Sequence, residues 1–250
     1  MATSCAILWV SIGLLGCRDE GDDPPPAKVS KSSSLDSTPH PAADAKKIAP
    51  GVYLERRGTG KAEHRRVLVD ARVCLREGSY GLETLLCRSQ TKEHESILAT
   101  DADAKLIHAA LLAAGAEPGH PVRFFENKPP QTATGTRIVV SLSYKDKNGK
   151  QFTIPAREWI LNVKTKKPLD QDWVFAGSIL YKDPDEPKQP ARYVANEDGA
   201  YICVNNVPTA MLDLPITSEN NPEARIFQFN TPKIPPIGTK VTVVLDPRNK

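Results

Sequence analysis

From about residue 50 the chain is written in short alternating runs. In "VLVDARVCL" (67–75), Val67, Val69, Ala71, Val73 and Leu75 fall on one face, and Asp70, Arg72 and Cys74 on the other. That period of two predicts a half-buried strand. "REGSYG" (76–81) carries turn residues, and "LETLLC" (82–87) reads as the strand returning from it. Period 3.6 replaces period 2 in "TDADAKLIHAALLAAGAEPG", where Ile107, Ala110, Leu111 and Ala114 recur at helical spacing. Thr100 or Asp101 is placed to cap this helix, and Gly115 and Pro118 to stop it. A hairpin is predicted from "GTRIVVSLSY", with Ile138, Val140 and Leu142 on one face, through "KDKNGK" to "QFTIPA". "GVYLE" (51–55), "PVRFF" (121–125), "WVFAGSILYKD" (173–183), "RYVANEDGAYICVNN" (192–206), "ARIFQF" and "GTKVTVVLDP" add further strands, and "PTAMLDL" (208–214) reads as a helical turn. The expectation is an α+β fold: a mostly antiparallel or mixed β-sheet with one main covering helix at about 102–114, in a single domain over 50–250.

The N-terminus follows a different pattern. "CAILWVSIGLLGC" is too short an apolar run to span a bilayer and reads as the core of a signal peptide over residues 1–17. Its ending, Leu14-Leu15-Gly16-Cys17, resembles a bacterial lipobox, which implies lipid attachment at Cys17. Residues 18–49 contain a triple proline, a triple serine and almost no large apolar side chain, so they are expected to form a disordered tether. The expected setting is the bacterial cell envelope, with the chain anchored on the periplasmic side. Membrane lipid is then a partner through Cys17, and an envelope protein or polymer is a further candidate. A net charge of +3 gives no reason to invoke nucleic acid.

Beyond Cys5 and Cys17 the cysteines are Cys74, Cys87 and Cys203. In an oxidising compartment a Cys74–Cys87 disulfide is expected, since each lies on one strand of the first predicted hairpin. None of these cysteines has the close spacing of a structural zinc site or an iron–sulfur cluster, so no metal and no cofactor is predicted. His94, between Glu93 and Glu95, has carboxylates at hand to orient it, but the segment lacks the second histidine of a zinc-protease motif. Asp172 and Asp213 lie in polar loops. Glu93, His94, Glu95, Asp172 and Asp213 form the candidate ligand-binding set, and no catalytic residue is assigned. "RRGTGKAEHRR" (56–66) lacks the first glycine and the Ser/Thr of a phosphate-binding loop, and reads as a basic loop tip able to face anionic lipid or polymer.

"VCLREGSYGLETLLCRSQTKEHESIL", "LIHAALLAAGAEPG", "WVFAGS" and "ICVNNVPTAMLDLP" together resemble the YdjY-type domain of bacterial envelope proteins, over about residues 50–247. The resemblance implies a single domain in an exported, lipoprotein-like setting and carries over no catalytic residue. The functional expectation is a non-enzymatic, lipid-anchored domain that binds a ligand or an envelope component. The alternative is an enzyme or metal-binding protein that uses His94 with Glu93, Glu95 or a cysteine.

Overall fold

The computed structural model describes residues 44–60, 63–78, 81–216 and 226–248. The signal segment, Cys17 and most of the expected tether lie outside the described residues. The last part of the expected tether is strand β1 (Ala45–Ala49), which pairs with β2 (Val52–Arg57). β2 continues antiparallel into β3 (His64–Val73). Next come β4 (Thr84–Arg88), β5 (Ser96–Thr100) and helix α1 (Ala104–Ala113). The middle of the chain holds a small pair, β6 (Arg123–Phe125) and β7 (Lys128–Gln131), then β8 (Arg137–Lys145), β9 (Gln151–Pro155) and β10 (Ile160–Asn162). After them run β11 (Trp173–Phe175), β12 (Leu180–Tyr181), β13 (Arg192–Tyr193), helix α2 (Val194–Asp198) and β14 (Ile202–Cys203). β15 (Leu212–Asp213), β16 (Phe227–Phe229) and β17 (Lys240–Arg248) end the described chain.

The expected α+β sheet with a covering helix is not what forms. The fold is mostly β, and eight strands close into a barrel in the order β3-β17-β8-β11-β15-β14-β4-β5. Closure comes from β5, which pairs back onto β3 through Arg72↔Ala99 and Val73↔Leu98. A closed ring removes the exposed edges that an open sheet must protect. Two long strands divide one edge each between two partners. β3 pairs with β2 over 64–69 and with β5 at 72–73, and β8 pairs with β11 at 137–138 and with β9 over 141–145. The β1–β2 arm and β9 therefore branch from the barrel.

The alternation read from the sequence is the inside of this barrel. Val241, Val243 and Leu245 of β17 stand opposite Tyr144, Leu142 and Val140 of β8, and opposite Ala71, Val69 and Val67 of β3. These side chains join one core with Trp159, Trp173, Phe175 and Tyr201. α1 forms close to where it was expected, but Asp103 caps it by accepting from the Lys105 N–H. It packs on β2 and β3 and sends Ile107, Ala110 and Leu111 into the same core. "PTAMLDL" is not a helical turn: Leu212 and Asp213 form a barrel strand between β11 and β14.

Candidate functional site

The predicted hairpin of residues 67–87 does not form either. β5 lies between β3 and β4, antiparallel to β3 and parallel to β4. Thr84 pairs with Ser96 and Arg88 with Thr100, so residues 89–95 must carry the chain back along the whole of β4. Parallel neighbours usually need a connection of about a dozen residues or more. The Lys92–Glu95 run is what secures this short return. Lys92 Nζ reaches Glu83 Oε1 at 2.6 Å and Glu95 Oε1 at 3.1 Å. Burial disfavours the charge on Lys92, but the bonds and charges of Glu83 and Glu95 outweigh it and hold its pKa above the usual value. Burial, opposed by Lys92, pushes Glu83 up. Glu93 accepts from Arg72 at 3.0 Å and from the Gln90 N–H at 2.9 Å, and the Arg72 bond lowers its pKa. Gly199, at φ +81°, ends α2 directly against Thr91, where a Cβ would fall 2.0 Å from the threonine oxygen.

The five candidate ligand-binding residues are not gathered into one site. The His94 side chain is 66% exposed, on the outside of the return, with Nε2 3.9 Å from Glu95 Oε1. Asp172 is engaged elsewhere by Arg137, whose Nε donates at 2.8 Å. Asp213 is buried in β15 and accepts from Asn206 Nδ2 at 3.0 Å and from the N–H groups of Leu214 at 2.9 Å and Val122 at 3.3 Å. Burial outweighs these bonds and pushes its pKa up to about 7. Cys74, just past the end of β3, and Cys87, on β4, are free thiols on either side of β5. The Cys74 thiol donates to Ser96 O at 3.2 Å; interaction with Cys87, together with burial, raises the pKa of Cys74, and interaction with Cys74 lowers that of Cys87. Cys203 is fully buried, which raises its pKa. Among the described residues no group of three or more His, Cys, Asp or Glu side chains is placed to hold a metal ion.

A different group of residues does converge. α1, the Pro118–Gly119 turn, the end of β11 and the β12–β13 pair enclose a cleft of about 420 Å³. Its wall includes Lys105, His108, Ala176, Ser178, Leu180 and Tyr193. The His108 ring packs edge-on against Phe175 and Tyr193, at centroid distances of 4.7 and 5.4 Å. The Tyr193 hydroxyl donates to Gly177 O at 3.0 Å and lies 2.8 Å from His108 Nδ1. A hydroxyl carries a single proton, so Nδ1 is the donor in that second bond and Nε2 keeps its lone pair. Burial lowers the His108 pKa, which keeps the ring neutral. Ser178 is not a free nucleophile beside this base: its Oγ donates to Thr209 O at 2.6 Å and accepts from the Ala195 N–H at 3.1 Å. A larger depression of about 800 Å³ beside Gly135 is less favourable for an anion, because both its guanidinium groups face carboxylates, Arg137 facing Asp172 and Arg248 facing Asp246.

Sequence reading gave His108 no role, and Tyr193, 85 residues downstream, was not singled out. The only local sign was a histidine on a helix whose other periodic positions are apolar. Fold and cleft together define a β-barrel domain with a small, mainly apolar recess holding one oriented imidazole. The chain belongs to the YdjY domain family, whose model matches residues 61–246. No curated protein and no solved structure matches it.

Proposed function

We propose that the protein is a non-enzymatic, lipid-anchored envelope domain that binds a small organic ligand in the His108 cleft. The observation that carries this reading is the neutral imidazole, fixed by Tyr193 so that Nε2 is an acceptor, in a recess whose nearby hydroxyls are already engaged. The cleft volume lies within the ordinary range for small-molecule sites. Pro118, Ala176, Leu180 and the Tyr193 ring favour an apolar body, Nε2 favours a donor, and Lys105 favours an acid group. The ligand class is therefore a small aryl or alkyl carboxylate that carries a hydroxyl or N–H. The lipobox-like Leu14–Cys17 and the polar segment after it support the anchor.

A panel of hydroxylated aryl and alkyl carboxylates, titrated while amide NMR signals are followed, tests the cleft. Binders should shift Gly119, Gly177 and Ser178 in the wild type and lose this effect in His108→Phe, which keeps a ring against Phe175. If no member of the panel shifts these amides, the ligand reading fails. Metabolic labelling with palmitate tests the anchor separately: label that persists in Cys17→Ser, or is absent from the wild type, refutes it.

A further inference from the structure

Helix α1 is apolar on more than its inner side. Ala104, Ile107, Ala110 and Leu111 are buried, while Lys105, Leu106, Ala109, Leu112 and Ala113 are exposed. The exposed positions form one stripe at spacings of three and four, in which Lys105 is the one charged residue. Leu106 is 40% exposed and Leu112 47%. A scattered surface leucine needs no explanation, but a helix that is apolar nearly all round is ordinarily covered on every side. Around the C-terminal end of the stripe stand cations of the β1–β2–β3 arm. Arg65 Nη1 donates to Ala113 O at 3.2 Å. Arg56 lies directly opposite Arg65 in the ladder, and Lys46 opposite Leu54, which places Lys46 and Arg56 on the face of the arm that carries Arg65. Two like charges set directly across a strand pair cost stability; Arg65 is partly offset by the C-terminal carbonyl of α1, and Arg56 adds a further positive charge beside it, so this end of the stripe suits an anionic surface. Lys105 marks the other end of the stripe, where Asp103 caps the helix by accepting from the Lys105 N–H and Asp101 is exposed, so the positive charge of the rim is concentrated at the Arg65 end.

We infer that this face, the outer stripe of α1 with its rim of Lys46, Arg56, Arg65 and Lys105, docks the domain on an anionic lipid surface. The inference rests on the envelope reading above, in which the domain stands on a bilayer. Leucines amid cations suit the boundary between headgroups and acyl chains, where the apolar area enters and the cations meet lipid phosphate. A second copy of the chain is the less suitable occupant. Two-fold pairing of antiparallel α1 stripes would bring Lys105 of each copy against Arg65 and Arg56 of the other, setting like charges face to face.

The test uses the full chain reconstituted into vesicles of phosphatidylcholine with or without phosphatidylglycerol, with the photoreactive residue p-benzoylphenylalanine at position 112 and, as control, at exposed Lys147. With radiolabel in both phosphatidylcholine and phosphatidylglycerol, position 112 should crosslink to lipid and position 147 should not. The yield should fall at least about threefold in Lys46→Glu/Arg56→Glu and in vesicles without the anionic lipid, since each cation near such a surface contributes on the order of 1 kcal/mol. Protein–protein crosslinks at position 112 would assign the stripe to a second copy and overturn the proposal. Equal lipid labelling at positions 112 and 147 would overturn it too. Flotation separates failure of the anchor from failure of docking: an unanchored chain leaves the vesicle fraction, whereas an anchored but undocked chain floats without crosslinking.

Discussion

Asp213 makes the pH dependence of stability a direct test of the burial argument. Its carboxyl is fully buried, and no ion pair engages it among the described residues. Burial moves its pKa from 3.8 to about 7. In the unfolded chain the group releases its proton near the ordinary value, while in the native barrel it keeps the proton until near neutrality. Between these values the native state binds more protons, so stability falls as pH rises from about 4 to about 7 and levels off on either side. At about 1.4 kcal/mol for each unit of pKa, the whole change is worth about 4 kcal/mol. Urea unfolding of the wild type and Asp213→Asn at a series of pH values between 4 and 8.5 reads it out. The amide cannot ionise, and its NH2, which cannot accept, stands where a carboxyl oxygen accepts from Val122 or Asn206, so the variant should be less stable at pH 4.5. That deficit should shrink or reverse by pH 8. Glu83 and the surface carboxylates titrate in both proteins and cancel in the comparison. A stability difference that stays constant across the pH range would refute the reasoning, because Asp213 would then ionise alike in both states.

The return over residues 89–95 separates a supporting charge from an idle one. Lys92→Met leaves Glu83 and Glu95 together without their shared cation and should cost about 3–5 kcal/mol in urea unfolding, whereas His94→Ala, on the exposed side, should stay within about 0.5 kcal/mol; comparable losses would return His94 to a structural role. Two glycine substitutions separate close backbone packing against β11 from left-handed strain alone. A Cβ on Gly135 would meet Phe175 O at 2.0 Å, while Gly149 has open space but a φ of +79°. Gly149→Ala should cost about 1–2 kcal/mol of left-handed strain and Gly135→Ala clearly more, seen as a larger fall in melting temperature; equal effects would mean that the β11 backbone yields freely there.

Period-two runs were legible because a strand with one buried face writes that face into its own sequence. Val67, Val69 and Val73, and Ile138, Val140 and Leu142, were assigned to the inner face from the sequence, and they line the core. α1 was legible for the same local reason, within two residues at its start and one at its end. Partner choice was not legible. Cys74 and Cys87 were assigned to neighbouring strands because the turn between them is short, yet β5 enters between them. Nothing in "SILAT" says which two edges it will join, because both of its edges carry the same backbone groups. Leu212–Asp213 was too short to show any period and was misread as a helical turn.

The candidate site divides along the same line. The Lys92–Glu95 run drew attention by its residue types, and those residues do interact, but with Glu83 and Arg72 to hold a chain return. His108 and Tyr193 meet only because α1 and β13 converge on the end of β11. By itself the sequence determined which positions turn inward and where the main helix lies. Those properties depend on neighbours a few residues apart. Closure of the sheet into a barrel, the tautomer of His108 and the raised pKa of Asp213 were decided by tertiary structure. Each depends on groups brought together from distant parts of the chain, and on the water excluded when they pack.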